Sequence, residues 1–262
     1  MNLDLSNKTA LVCGGSQGLG FAVANELALL NATIILLSRS EDKLKEAVKK
    51  LPANAQQHHS YISADTSKPA EVKEKLQQYL QQNGNIHILI NNSGGPASGP
   101  ALETKAEDFT SSFQSHLITA HTITQLVVPG MKQAGFGRII NILSTSIKEP
   151  INHLVISNSV RAAVANWAKT LANDLAQFGI TVNNVLPGYT KTDRLKYLFG
   201  KQAESNQTTV DAIEQKQAEQ IPAKRLGIPE EFGAVVAFLC SPAAGYVNGV
   251  NLPVDGGALH GL

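Results

Sequence analysis

Short apolar runs alternate with longer amphipathic stretches along the whole chain, and this alternation limits the possible folds more than any other feature. Strands are expected at residues 9–13, 33–37, 59–63, 87–91, 138–143, 180–186 and 250–254. Helices are expected at 18–30, 41–51, 69–82, 106–133, 152–178 and 229–239, with Pro129 and Gly130 breaking or bending the long one. Pro69 suits the first turn of its helix, and the polar stretch 193–220 reads as partly helical. The runs are almost wholly apolar, as a sheet covered on both faces requires. Strands separated by helical crossovers mean a doubly wound, parallel α/β sheet of the Rossmann type.

No linker interrupts the pattern, so all 262 residues are read as one domain. Lys plus Arg is 22 and Asp plus Glu is 21, a net charge of +1 with no basic block, which argues against nucleic acid as a partner. A hydrophobic fraction of 43% argues against disorder. No apolar run approaches the ~20 residues of a membrane span, and Met1 to Lys8 has no apolar signal region. A soluble, cytoplasmic protein is expected. Cys13 and Cys240 fit no metal-ligand or disulfide pattern and read as small buried hydrophobes.

The first strand runs into Cys13-Gly14-Gly15-Ser16-Gln17-Gly18-Leu19-Gly20 at a helix start. Gly14 permits a sharp turn, Gly18 lets the backbone approach a pyrophosphate, and Gly20 lets the helix pack on the sheet. The helix N-terminus offers free N–H groups and a positive dipole end to phosphates. The spacing is G-x-x-x-G-x-G, not the G-x-G-x-x-G fingerprint. Ser38 and Arg39 stand at the end of the second strand, where an acidic residue would hold a ribose 2′-hydroxyl. A hydroxyl and a guanidinium suit a 2′-phosphate, so NADP(H) is favoured over NAD(H).

Together these features resemble the short-chain dehydrogenase/reductase family, near its 3-oxoacyl-carrier-protein reductase-like members, over essentially the whole chain. Several further segments carry the resemblance. Asp65-Thr66 matches the Asp that holds the adenine, and Asn91-Asn92-Ser93-Gly94 the segment after the fourth strand. Ser144 stands where the family keeps its catalytic Ser. Pro187-Gly188, with Thr190 and Thr192, matches the loop that holds the nicotinamide carboxamide, and Pro253-Val254-Asp255-Gly256-Gly257 the family's closing segment. The resemblance implies a small-molecule carbonyl or secondary alcohol as substrate. It also implies a homo-oligomer, dimer or tetramer, built on segments such as Ala162-Ala163-Val164.

The catalytic motif departs from the family. Its Y-x-x-x-K is replaced by Ser157-Asn158-Ser159-Val160-Arg161, and its helical Asn by His116. A serine hydroxyl is a far weaker acid than a phenol next to a cation. Arg161, in the place of the Lys that holds the nicotinamide ribose, stabilises negative charge but does not relay a proton as Lys does. Catalytic candidates are therefore Ser144, Ser157, Arg161 and His116. His153 would share a helix face with Ser157 and Arg161 if the helix has begun there. Lys148 and Tyr189 read as pocket walls or solvated side chains, and His58-His59 as surface residues. Residues 201–217 are a candidate mobile insertion over the substrate, or a plain solvated helix. Two functions stay open: an oxidoreductase with an altered catalytic set, or an NADP(H)-binding protein with a sensing or oligomeric role.

Overall fold

The computed structural model describes residues 1–261. Its strands are β1 (Thr9–Cys13), β2 (Thr33–Ser38), β3 (Ser60–Ser63), β4 (Ile88–Asn91), β5 (Gly137–Ile142), β6 (Ile180–Pro187) and β7 (Asn251–Val254). They form one sheet in the order β3-β2-β1-β4-β5-β6-β7, every neighbouring pair parallel. The helices are α1 (Gly18–Leu29), α2 (Glu41–Lys50), α3 (Pro69–Asn83), α4 (Ala106–Phe113), α5 (Thr119–Ala134), α6 (Val155–Leu175), α7 (Asp193–Ser205), α8 (Val210–Gln220) and α9 (Pro229–Cys240).

Alternate strand residues feed two cores, one on each face, which is why the strands read as unbroken apolar runs. Val12, Ile34, Leu36 and Ile90 pack with α1 and α9, while Leu11, Ile35, Leu89 and Ile139 pack with α3, α5 and α6. Cys13 and Cys240 are free and buried, and burial pushes both thiols up to about 12.

A row of asparagines crosses four strands, buried at Asn141 and Asn184 and open to solvent at Asn251. Asn91 Nδ2 donates to Asn141 Oδ1 at 2.9 Å, Asn141 Nδ2 to Asn184 Oδ1 at 2.8 Å, and Asn184 Nδ2 to Asn251 Oδ1 at 2.7 Å. These residues are partners in the β4–β5, β5–β6 and β6–β7 registers. A slip of any one strand would leave an amide of Asn141 or Asn184 unpaired in the core, so the row fixes alignment from the carboxyl ends of β4 and β5 through β6 to the start of β7.

Three sequence expectations need correction. The helix does not break at Pro129 and Gly130; α5 continues through them. Pro129 and Gln125, whose carbonyl loses its helical donor, are both exposed, so water satisfies that oxygen. The irregularity lies earlier, in a π turn at Gln114–Ile118 between α4 and α5. The helix expected from residue 152 starts at Val155, and His153 has φ +61°, so it does not share the face of Ser157 and Arg161. His59 is not a surface residue like its neighbour His58. Its Nδ1 accepts from Ile34 N at 3.0 Å and its Nε2 lies 2.9 Å from Pro52 O, tying the entry of β3 to β2.

Candidate active site

Strand order reverses between β1 and β4, and the loops after these two strands open the crevice in which ligands of open α/β sheets bind. The glycine loop follows β1. Gly14 and Gly18 have φ of +59° and +58°. A Cβ at Gly20 would lie 2.3 Å from Gly14 O, and one at Gly14 would lie 2.6 Å from Asn92 Nδ2. These two glycines therefore knit the loop to itself and to the segment after β4, where Asn92 Nδ2 donates to Gly14 O at 3.3 Å.

Gly18 is different: a Cβ there would meet only Thr192 Cγ2, at 3.9 Å. The missing side chain leaves a gap between the glycine loop and the start of α7. Gln17 provides no side-chain cap for α1, so the first N–H groups of that helix stay available beside the gap. Ser16 and Leu19 complete the loop. The arrangement fits a pyrophosphate.

The end of β2 fits a phosphate as well. Ser38 Oγ is buried without a hydrogen-bond partner among the described residues, and Arg39 next to it is exposed. Lys43, on the first turn of α2, reaches Gln17 Oε1 at 3.2 Å and brings a second cation to the same corner. Sequence reasoning missed Lys43; its signal was a cation three residues after Ser40, the side-chain cap of α2. Across the corner, burial opposes ionisation of Asp65, but hydrogen bonds from Ser67 and the charge of Arg39 hold its carboxyl below the ordinary value. The Thr66 carbonyl accepts from Thr119 Oγ1 at 2.7 Å, joining this loop to the π turn.

The catalytic candidates gather at the ends of β4 and β5. Ser144 Oγ accepts from Ser146 N at 3.1 Å, which leaves its own O–H free to donate. Ser157 and Arg161 stand one turn apart on α6. Arg161 Nη1 donates to the carbonyls of Ile142, at 3.2 Å, and Leu143, while its Nε is buried without a partner among the described residues. Burial, and then the charge of Arg194, lower Arg161 to about 10, so it is still protonated at neutral pH.

His116 sits in the π turn, with Nδ1 2.6 Å from Ser93 Oγ. Burial and then Arg161 lower it to about 4, so the ring is neutral at pH 7. A cavity of about 30 Å³, room for a water molecule, lies against Cys13, Ser93, His116 and Asn141.

Other expectations separate here. Thr192 faces Gly18, but Thr190 is buried with its Oγ1 toward Gly227 and lines a different cavity of about 220 Å³. Pro187 ends β6, and Gly188 packs against Asp255, where a Cβ would lie 2.6 Å from its Cα. Gly94 has open space around it. Lys148 is exposed, and Tyr189 stacks on Phe199 with ring centroids 6.3 Å apart. Stretch 201–217 falls in α7 and α8, which share a small core of Phe199, Ala203, Ile213, Ile221 and Leu226.

Comparison with known proteins agrees with this geometry. The family model described as enoyl-(acyl carrier protein) reductase matches residues 14–259. The chain belongs to the short-chain dehydrogenase/reductase family. It is 31% identical to the NADPH-dependent reductase BacG of Bacillus subtilis (strain 168), over 98% of this chain and 100% of that one. It is 30% identical to the 3-oxoacyl-[acyl-carrier-protein] reductase FabG of Vibrio cholerae, over 97% and 98% respectively. Among solved structures, L-sorbose reductase from Gluconobacter frateurii, complexed with NADPH and L-sorbose, superposes with a TM-score of 0.95 at 30% identity, covering 100% of both chains. Among the described residues, no helix is long and apolar enough to cross a membrane.

Proposed function

We propose that this protein is an NADP(H)-dependent oxidoreductase acting on a carbonyl or secondary alcohol with an altered catalytic set. The observation that carries the reading is the gap between Gly18 and Thr192, which opens beside an uncapped helix N-terminus. The NADPH named for BacG and for the sorbose reductase complex supports the same cofactor here.

In this reading the loop from Gly14 to Gly20 and Thr192 hold the pyrophosphate. Ser38 and Arg39, joined by Lys43, hold the 2′-phosphate. Asp65 and Thr66 flank the adenine, Asn92 to Gly94 the adjoining ribose, and Pro187 and Gly188 the carboxamide. When bound, the reduced nicotinamide supplies hydride. The chain's own residues orient the carbonyl and manage charge. Ser144 donates its free O–H to the carbonyl oxygen, and Ser157, one turn before Arg161 on α6, supplies a second hydroxyl. Arg161 stabilises the negative charge that develops on that oxygen. The alkoxide left by hydride addition takes its proton from solvent water, while the hydrogen bond between Ser93 and His116 holds the buried ring neutral near Arg161. Residues 1–262 act as a single domain, and the setting is cytoplasmic. The half-buried Ala162 and Ala163 on α6 support a homotetramer.

The test is NADPH consumption over a panel of carbonyl compounds, run beside cofactor binding without substrate. Binding with turnover of at least one compound supports the reading. Tight NADPH binding with no turnover favours a sensing or oligomeric role instead.

A further inference from the structure

The rim of the cleft carries more apolar surface than a cofactor needs. Leu102 follows β4, Ile151 follows β5 and Tyr189 follows β6, and all three are exposed. Tyr197 and Leu198 of α7 add to them at 62% and 46% exposure. All five lie beyond the carboxyl ends of neighbouring strands. Gly99 N donates to His153 O at 2.8 Å, joining the loops of Leu102 and Ile151, and Arg194 Nη2 donates to Gly95 O, joining the start of α7 to the first of these loops. Tyr189 stacks on Phe199 of α7 and also lines the cavity it shares with Thr190. Five large apolar side chains at one opening describe a surface that an apolar ligand covers.

The same mouth holds a cation with no matching anion. Arg194, on the first turn of α7, spans the cleft and donates from Nη2 to Gly95 O at 3.3 Å. It makes no ion pair among the described residues, unlike Arg225, whose Nη2 lies 2.6 Å from Glu231 Oε1. Its charge also acts on Arg161, which likewise has no carboxylate partner among the described residues. Two guanidinium groups close enough to feel each other's charge repel, and an anion beside them relieves that repulsion. The phosphates of a dinucleotide have their own places, at the N-terminus of α1 and at the end of β2. Arg194 reaches Gly95, the residue after the Asn92–Gly94 segment, where the loop leaves the cofactor cleft and runs on to Leu102.

From these two observations we propose that the substrate is a carbonyl compound with an apolar body and a carboxylate, the carboxylate seated on Arg194 beside Arg161. The proposal rests on the reductase reading above and names the substrate class of that same site.

The test is calorimetric binding to the NADP⁺-saturated protein, in which a ketone binds without reacting. The probes are 2-oxooctanoate and its methyl ester, alike in size and differing in the charge. Wild type is expected to bind the acid at least tenfold more tightly than the ester. Arg194→Ala should abolish that preference and Arg194→Lys keep most of it, with NADPH affinity within twofold of wild type in both. Equal binding of acid and ester to wild type, none included, overturns the proposal. So does a preference that survives Arg194→Ala, or an equal loss of NADPH affinity, which would assign the guanidinium to the cofactor. Failure of the reductase reading would appear earlier, as wild type that binds no NADP⁺, and would remove the substrate reading with it.

Discussion

Ser93 Oγ and His116 Nδ1 are 2.6 Å apart, a hydroxyl bonded to an imidazole that burial and Arg161 keep neutral until about pH 4. In the unfolded chain the same ring titrates near its ordinary value of 6.5. Between these values the unfolded state binds more protons, so stability falls as pH drops from 6.5 toward 4. The loss from this group is at most about 3 kcal/mol. His87, also lowered, by burial and then by Lys8, adds to it in the same direction. Urea unfolding of wild type and His116→Asn from pH 7 to 4 is expected to show a shallower fall in the variant. Superimposable profiles would contradict a buried neutral His116.

Arg39 and Ser38 stand where a 2′-phosphate would be read. Arg39→Ala should weaken NADPH binding about tenfold, the value of one charge-assisted contact, and leave NADH nearly unchanged. Fluorescence titration of both cofactors against wild type and variant decides it. Equal affinities in wild type would remove the basis for NADP(H).

Gly18 and Gly20 should separate binding from folding. Alanine at Gly20 would place a Cβ 2.3 Å from Gly14 O, so the variant should lose stability and melt several degrees lower. Alanine at Gly18 meets no clash but must adopt φ +58° and fills the gap facing Thr192. It should cost about 1–2 kcal/mol in stability while abolishing NADPH binding. Thermal melts with a cofactor titration read both effects.

Asn141 both donates and accepts within the buried amide row. Asn141→Ala leaves the Asn91 amide N–H and the Asn184 amide oxygen without those bonds, a loss of about 2–4 kcal/mol in denaturant unfolding. A change below about 0.5 kcal/mol, the range of an ordinary surface substitution, would show that the row does not fix register.

The sheet was legible because its strands are apolar on both faces and its crossovers amphipathic, a pattern few other folds share. The amide row was not, because asparagine is a poor strand former whose value here comes only from partners in three other strands. The π turn was hidden by Pro129 and Gly130, stronger local signals that tertiary packing overrides. In the candidate site, the glycine loop and Ser38-Arg39 could be read because backbone freedom and charge act locally. Lys43 and Arg194 could not, because each is one of several cations in a polar helix and gains meaning from a partner far away in sequence, Gln17 and Gly95. His153 was misplaced by three residues of helix, enough to turn a shared face into a left-handed loop position.

In the proposed function, Ser157 and Arg161 work as chemical groups where the resembling family carries Tyr and Lys. Single-turnover reduction of a carbonyl substrate by saturating NADPH, followed at 340 nm in a stopped-flow instrument, tests it most directly. Ser157→Ala should slow the hydride step at least tenfold, with NADPH affinity within twofold of wild type. Arg161→Ala should slow it about 10²–10³-fold, the loss expected when a charge-stabilising donor is removed, and should weaken NADPH as well. Unchanged single-turnover rates in both variants, on a substrate that wild type reduces, would contradict the account.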